Sequence, residues 1–264
     1  MNLLRLITFR QQAAAGFDPD AQAFITAAGI TDPTQQSAIN TLVLDLKGYG
    51  IWTKMIAVYP LVGGTATSCK YNLKDPRDLD IAYRLTFVGA VQISSTGIKS
   101  NTTALGVYAN THFDPNSAGV YFDDAHLSFY SRTNNTNNSY DMAGDTSGGD
   151  WGCIIYGTRA YAFFRGKTPN VTIANSLGLQ TAVSTSSGVS RYVNSSKVVS
   201  TTPTTHTLGP TQKTYLLANS RQINGETSTR EFAFASIGYG LSDLEVTNLY
   251  TAVQAYQTTL GRQV

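Results

Sequence analysis

Three glutamates, three histidines and fourteen aspartates (17 acidic residues less the glutamates) are the side chains of this 264-residue chain that could do acid–base or metal chemistry. Glycoside hydrolysis needs two carboxyl groups about 5–10 Å apart across the scissile bond. On one strand that means acidic residues two or four apart. Glu226 and Glu231 are five apart and would face opposite ways along a strand. Glu245 stands three residues after Ser242 and reads as half of a helix capping box. Asp78 and Asp80 have the spacing, but they lie in Lys74-Asp75-Pro76-Arg77-Asp78-Leu79-Asp80, which reads as a turn entering a strand. His112, His126 and His206 show no ligand spacing with one another or with cysteine and read as isolated loop or sheet-surface residues. There is no G-x-S-x-G elbow. Gly166-Lys167-Thr168 ends like a phosphate loop, but Tyr161 stands where that loop needs its first glycine. No catalytic residue is assigned, and the chain reads as a non-enzyme. A glycan hydrolase is the competing reading.

Binding asks for different residues. A sugar site combines an exposed aromatic ring with amide and carboxylate groups. Arg132, Asn134 and Asn137, with Asp145, Asp150 and Trp151, offer that combination and are the candidate ligand-binding residues. Trp151 also fits the start of a core strand, the favoured reading because most large aromatics are buried. Calcium is the one cofactor left open. Asp123-Asp124, and the loop with Asp141, Asp145 and Asp150, could supply hard oxygen ligands. Asp beside Gly is equally ordinary turn chemistry, so no metal ligand is assigned.

The elements that must position these residues are mostly strands. Charged residues make up 14% and aromatics 11%, with a formal charge of +2, which gives no basic footprint for nucleic acid. No segment has the apolar length of a membrane helix. Cys69 and Cys153 read as two free thiols. Asp18-Pro19 and Asp32-Pro33 each place an N-cap before a proline at the first helical position. Phe24, Ile25 and Ala28 form the apolar side of the first helix; Ala38, Ile39, Leu42, Val43 and Leu46 form the stripe of the second. Leu3, Leu4 and Ile7 fit a helix loosely. From Gly50 onward short alternating runs recur about every ten residues, the pattern of a β-sandwich. The expected strands include 51–59, 81–88, 105–108, 126–132 and the hairpin 151–156/159–164. Trp52, Tyr83, Phe87, Phe163 and Phe164 read as core. A strand at 231–237 and a helix over 242–260 close the chain. The division expected is a helical region over 1–49, for attachment or sheet capping, and a sandwich over 50–264.

Two resemblances sharpen this. Tyr192-Val193-Asn194 followed by Leu241-Ser242-Asp243-Leu244-Glu245 resembles the end of concanavalin A-like (laminin G-like) lectin domains, with Ser195 in place of the usual turn glycine. That implies a mainly β fold, a concanavalin A-like jelly-roll β-sandwich with N-terminal helices and a C-terminal helix. The stretches DPDAQAFITAAGITDPTQQSAINTLV, KGYGIWTKMIAVYPLVGG and YNLKDPRDLDIAYRL, with the terminal QTTLGRQV, are similar to a family of tailed-phage structural proteins seen in Bacteroidota phages and prophages. The similarity is strongest over 18–90 and 230–264. It implies a virion component of fibre, spike or decoration type, made in the host bacterial cytoplasm. The partners it implies are other virion proteins, further copies of the chain (a trimer among the options) and a host surface glycan. A decoration protein with no ligand is the remaining alternative. Neither nucleic acid nor membrane insertion is expected.

Overall fold

The computed structural model describes residues 16–144, 151–221 and 226–264. The expected loose helix at Leu3–Ile7 lies outside them. In chain order the first strands are β1 Met55–Tyr59, β2 Thr86–Val88, β3 Gln92–Ser94, β4 Gly97–Lys99 and β5 Tyr108–Asn110. Then come β6 Ala125–Ser131, β7 Met142–Ala143, β8 Trp151–Tyr156, β9 Arg159–Phe164 and β10 Asn170–Thr172. The last are β11 Gly178–Thr185, β12 Gly188–Val193, β13 Ser196–Thr201, β14 Tyr215–Leu216 and β15 Phe232–Gly238. The helices are α1 Pro19–Ala28, α2 Pro33–Gly48, the single turn α3 Ala66–Cys69, and α4 Asp243–Thr259.

The strands form two antiparallel sheets packed face to face, the concanavalin A-like sandwich. One runs β13-β12-β11-β6-β15-β4-β3, with β1 also paired to β15; the other runs β10-β9-β8-β7-β14-β5-β2. Ala57, Leu127, Phe129, Ala182 and Ile237 from the first sheet meet Trp151, Cys153, Ile155, Phe164 and Leu216 from the second in the core between them. A second core lies on the other side of the first sheet. There Val58, Tyr130, Leu179, Val183 and Phe234 pack against Phe24, Leu42, Val43, Leu46, Leu249 and Val253 of the helices.

Local chemistry accounts for the helix ends. Asp18 Oδ1 accepts the Asp20 N–H at 3.0 Å, and Asp32 Oδ1 accepts that of Gln35 at 2.8 Å. Gly29, at φ 63, closes α1 in the left-handed region that glycine adopts without a Cβ penalty. Ser242 and Glu245 exchange hydrogen bonds at 2.7 and 3.3 Å, forming the capping box of α4. β15 does not alternate throughout. A bulge between Phe232 and Phe234 breaks the register, so Phe232 enters the intersheet core while Ala233 and Phe234 both face the helices.

Several strand readings need correction. The expected strand at 81–88 is a 3-10 turn at Asp80–Ala82, then Tyr83 in a left-handed conformation at φ 59, and strand only at Thr86–Val88. Ion pairs of Asp78 with Lys70 (2.6 Å) and of Asp80 with Arg84 (2.9 Å) hold this loop, and Ile81 is 76% exposed. The 105–108 strand is shifted to Tyr108–Asn110. Trp52, Tyr83, Phe87 and Phe163 are half-buried, and of the five expected core rings Phe164 is fully buried. The β3–β4 hairpin and the long β11 have no counterpart among the expected strands. Cys69 and Cys153 are separate buried thiols.

Candidate functional site

The asparagine-rich loop is placed by a buried ion pair. Arg230 and Asp141, both fully buried, meet at 3.0 Å. The Arg230 guanidinium also donates to the Asn135 and Asn137 carbonyls, at 3.0 and 3.3 Å, and so holds the loop from beneath. The loop's amides bond neighbouring segments, while Asn134 and Asn137 themselves stay exposed. Asn134 Oδ1 accepts the Ser176 N–H at 3.1 Å, and Asn137 Nδ2 donates to Thr229 Oγ1 at 3.0 Å. Arg132 is shared between Glu231 Oε2 and the Arg262 carbonyl, both at 2.9 Å. The cavity between this loop, Gly157-Thr158 and Ile173–Ser176 is about 30 Å³, room for about one water.

Trp151 is no surface platform. It is 1% exposed, its ring packs against Phe164, Phe122 and Phe113, and its N–H donates to Thr214 Oγ1 at 3.0 Å. As the first residue of β8 it faces the opposite sheet, so the core-strand reading applies. Asp145 and Asp150 lie outside the described residues. Asp141 is taken up by Arg230, Ser228 Oγ and the Ile155 N–H, which leaves its carboxylate no room for calcium. Among the described residues no group of three or more His, Cys, Asp or Glu could hold a metal ion.

A larger concavity, of about 660 Å³, opens where the β11–β12 turn and the β12–β13 hairpin meet the start of α4. Thr185, Ser187, Ser190, Ser200, Thr201 and Ser242 line it with hydroxyls. Its charges come in two pairs. Lys197 Nζ lies 2.7 Å from Asp243 Oδ1, which also accepts the Tyr192 hydroxyl at 2.6 Å. Lys54 Nζ lies 2.7 Å from Glu245 Oε2 and donates to the Gly240 carbonyl at 3.1 Å. The Lys197 hydrogen bond holds the Asp243 carboxyl below the usual carboxylate range. Burial pulls Glu245 upward, but its bonds to Lys54 and to the Ser242 N–H outweigh that and leave it lowered too. Both carboxyls are therefore ionised at neutral pH. Glycoside hydrolysis needs one partner with a raised pKa to act as the acid, and this pair supplies none.

Thr185 also borders a smaller cleft of about 280 Å³ with Asp123, Asp124, Ser186 and His206. Asp124 Oδ1 accepts the Gly240 N–H at 2.8 Å, tying this cleft to the head of α4. A side chain at Gly240 could not fit, because a Cβ there would lie 2.7 Å from the Ser184 carbonyl. His206 Nδ1 lies 2.9 Å from Asp123 Oδ1, and its ring stacks on Tyr121 with centroids 4.2 Å apart. Tyr121 is 37% exposed. Hydroxyls, carboxylates and an accessible ring thus share one end of the sandwich. Sequence reasoning placed Tyr192-Val193-Asn194 and Leu241–Glu245 as a fold signature and missed that Tyr192 and Leu241–Glu245 line this groove. The available signal was the mixed-charge set of Lys197, just after the first motif, with Asp243 and Glu245 in the second.

The histidines divide. His206 is exposed and His112 half-buried, whereas His126 is fully buried, which corrects the expectation of a loop or surface position. His126 Nδ1 meets the Tyr239 carbonyl at 2.7 Å and Nε2 meets Ser236 Oγ at 3.2 Å.

No family model matches the chain, and no curated protein matches it in sequence. Its fold is found in solved structures. A structure described as "Cell entry of botulinum neurotoxin type C is dependent upon interaction with two ganglioside molecules" aligns with a TM-score of 0.57 at 12% identity, over 78% of this chain and 52% of that one. The binding domain of botulinum neurotoxin serotype G aligns with a TM-score of 0.53 at 16% identity, over 76% and 51%. The serotype D ligand-binding domain in complex with N-acetylneuraminic acid aligns with a TM-score of 0.52 at 13% identity, over 76% and 52%. The chain spans about half the length of these proteins. At such identities the likeness is one of fold.

Proposed function

We propose that this chain is a non-enzymatic, glycan-binding component of a phage virion, of fibre, spike or decoration type, and that it holds the glycan in the groove at the head of α4. The observation that carries the binding reading is the groove's inventory: six hydroxyl side chains around two carboxylates that lysines keep ionised. Such a surface can exchange hydrogen bonds with a polyol and lacks the protonated acid that hydrolysis requires. Neighbours in fold described with ganglioside and N-acetylneuraminic acid add support in kind, as ligands of proteins about twice as long. The virion assignment rests on the sequence resemblance over 18–90 and 230–264; it carries with it assembly as a homo-oligomer among other virion proteins, after synthesis in the bacterial cytoplasm.

The full chain on an array of bacterial surface polysaccharides tests the binding reading. Retention of at least one glycan is expected, with no new reducing ends released and with affinity lowered about tenfold by Lys197→Ala. Release of reducing ends, or an array with no ligand, overturns it, the latter in favour of a purely architectural role. Mass spectrometry of purified particles tests the virion assignment, which fails if the chain is absent from them.

A further inference from the structure

A pocket away from the groove concentrates features that folding alone does not require. It measures about 390 Å³ and is lined by Asp80, Ile81, Tyr83, His112, Asp114, Ser117 and Lys213. Two of its residues, Tyr83 at φ 59 and His112 at φ 57, hold left-handed backbone conformations. For a bulky residue such as tyrosine that is an outlier, and such strain concentrates at functional sites. His112 Nε2 meets Thr86 Oγ1 at 2.8 Å and Asp80 Oδ1 at 3.4 Å, while its buried Nδ1 has no hydrogen-bond partner among the described residues. Ile81 is 76% exposed at the rim. Tyr83 is fixed edge-on against Phe113, with centroids 5.3 Å apart.

The polar groups are less committed than those of the groove. Lys213 is exposed, with no ion pair or side-chain hydrogen bond shown for it among the described residues, and its charge acts on His112. Among the described residues the Asp114 carboxylate accepts only from Ser117, at 3.1 and 3.0 Å. Asp80 is already balanced by Arg84 at 2.9 Å. The remaining charges, Asp114 and Lys213, sum to zero. A ligand here meets one ammonium donor, one carboxylate acceptor, and an apolar edge made by Ile81 and Tyr83. An anionic ligand that reached Lys213 would set its charge beside the Asp114 carboxylate; a purely apolar one would leave Asp114 and Lys213 desolvated without partners.

We propose that this pocket is a second binding site, taking an uncharged pyranose ring. Its C–H face lies on Ile81 and Tyr83, one hydroxyl donates to Asp114, and another accepts from Lys213. The site is independent of the groove, so the chain can engage a polysaccharide at two points, and two linked contacts raise avidity without any new interaction.

The test is titration of the full chain with the methyl pyranosides of glucose, galactose, mannose and N-acetylglucosamine, and separately with N-acetylneuraminic acid. The imidazole resonances of His112 are followed by NMR. At least one neutral pyranoside is expected to shift them at millimolar concentration. Ile81→Asp and Lys213→Ala, both at exposed positions, should each weaken that response about tenfold. Lys197→Ala in the groove should leave it unchanged, so failure of the groove and failure of this pocket read separately. The proposal is overturned if none of the neutral sugars moves His112, if only N-acetylneuraminic acid does, or if Ile81→Asp and Lys213→Ala leave the response intact.

Discussion

The first sheet turns Tyr130, Leu179, Val183, Tyr192 and Phe234 outward, and all five are no more than 2% exposed. A helical layer lies over them: α4 packs on β11, α2 on α4, and α1 on α2. The second sheet turns Tyr108, Tyr161, Phe163 and Tyr215 outward, opposite its core-facing Ala109, Ala162, Phe164 and Leu216. No helix packs substantially on its strands among the described residues, and these four rings remain half-buried. They shield one another instead. Tyr108 stacks on Tyr215 with centroids 4.4 Å apart, and Tyr161 on Phe163 at 5.5 Å. Both faces carry large apolar side chains. On one, the rings of Tyr130, Tyr192 and Phe234 pack with Leu179 and Val183 against the helices; on the other, rings stack on one another within the sheet. One face is closed by tertiary packing and the other by neighbours on the same sheet.

The largest consequence is in stability. Leu249 on α4 is fully buried, and Leu249→Ala should destabilise the chain by about 2–5 kcal/mol through lost burial and the cavity left behind. Phe163→Ala on the open face should cost less, about 1–2 kcal/mol, since part of that ring stays in water and no helix among the described residues packs over it. Urea unfolding of the two variants measures the gap. Equal losses would mean that the helices rest on the first sheet without contributing to its stability.

How far this asymmetry can be read from the chain follows from the same packing. α1, α2 and α4 announce themselves because their signals are local: Asp18-Pro19, Asp32-Pro33 and Ser242 with Glu245 fix the starts, and the stripe from Ala38 to Leu46 shows the buried side. β11 is hidden for the opposite reason. Both of its faces are covered, and Gln180, Thr181 and Ser184 are buried among its apolar residues, so no alternation survives. The loop at 132–138 looks like a binding loop because amides are abundant there. Its amides bond Ser176 and Thr229, partners some forty and ninety residues away that no local pattern reveals. The groove joins Lys54, the turn at Thr185–Gly188, Lys197 and the head of α4, segments up to 191 residues apart. Tyr192 and Leu241–Glu245 were legible as fold signature; their meeting with Lys54, the 185–188 turn and Lys197 was not.

A smaller effect of the covered face depends on pH. His126 lies on the helix side of β6, and burial pushes its pKa down to about 4 from an ordinary value of 6.5. The unfolded chain takes up this proton near pH 6.5, whereas the folded chain resists it until about pH 4. The stabilisation is therefore whole above pH 6.5 and is lost as pH falls towards 4, by about 3 kcal/mol in all. The lowered carboxyls Asp18, Asp75, Asp78, Asp243 and Glu245 have unfolded values of 3.8–4.5, so their losses begin lower. His112, also lowered by burial, adds a slope of the same sign. Unfolding free energies between pH 7 and 4.5 should fall steadily in the wild type and much less in His126→Gln. An unchanged slope in that variant would show that the covered face is not the source.

The smallest effect sharpens the account of the open face. If its rings protect one another, Tyr108 and Tyr215 should be energetically coupled. Their rings are nearly parallel, 7° apart, and sit on neighbouring strands, where Tyr215 pairs with Asn110 and Tyr108 is the diagonal neighbour. A double-mutant cycle with Tyr108→Ala and Tyr215→Ala should return a coupling of about 0.5–1.5 kcal/mol, the range for aromatic pairs beyond their burial. The same cycle between Tyr108 and Phe163, on strands β5 and β9 with three others between them, should return nothing beyond error. Additive losses at Tyr108 and Tyr215 would mean that each ring is held by its own strand alone, and that the open face is not a self-covering counterpart of the helical layer.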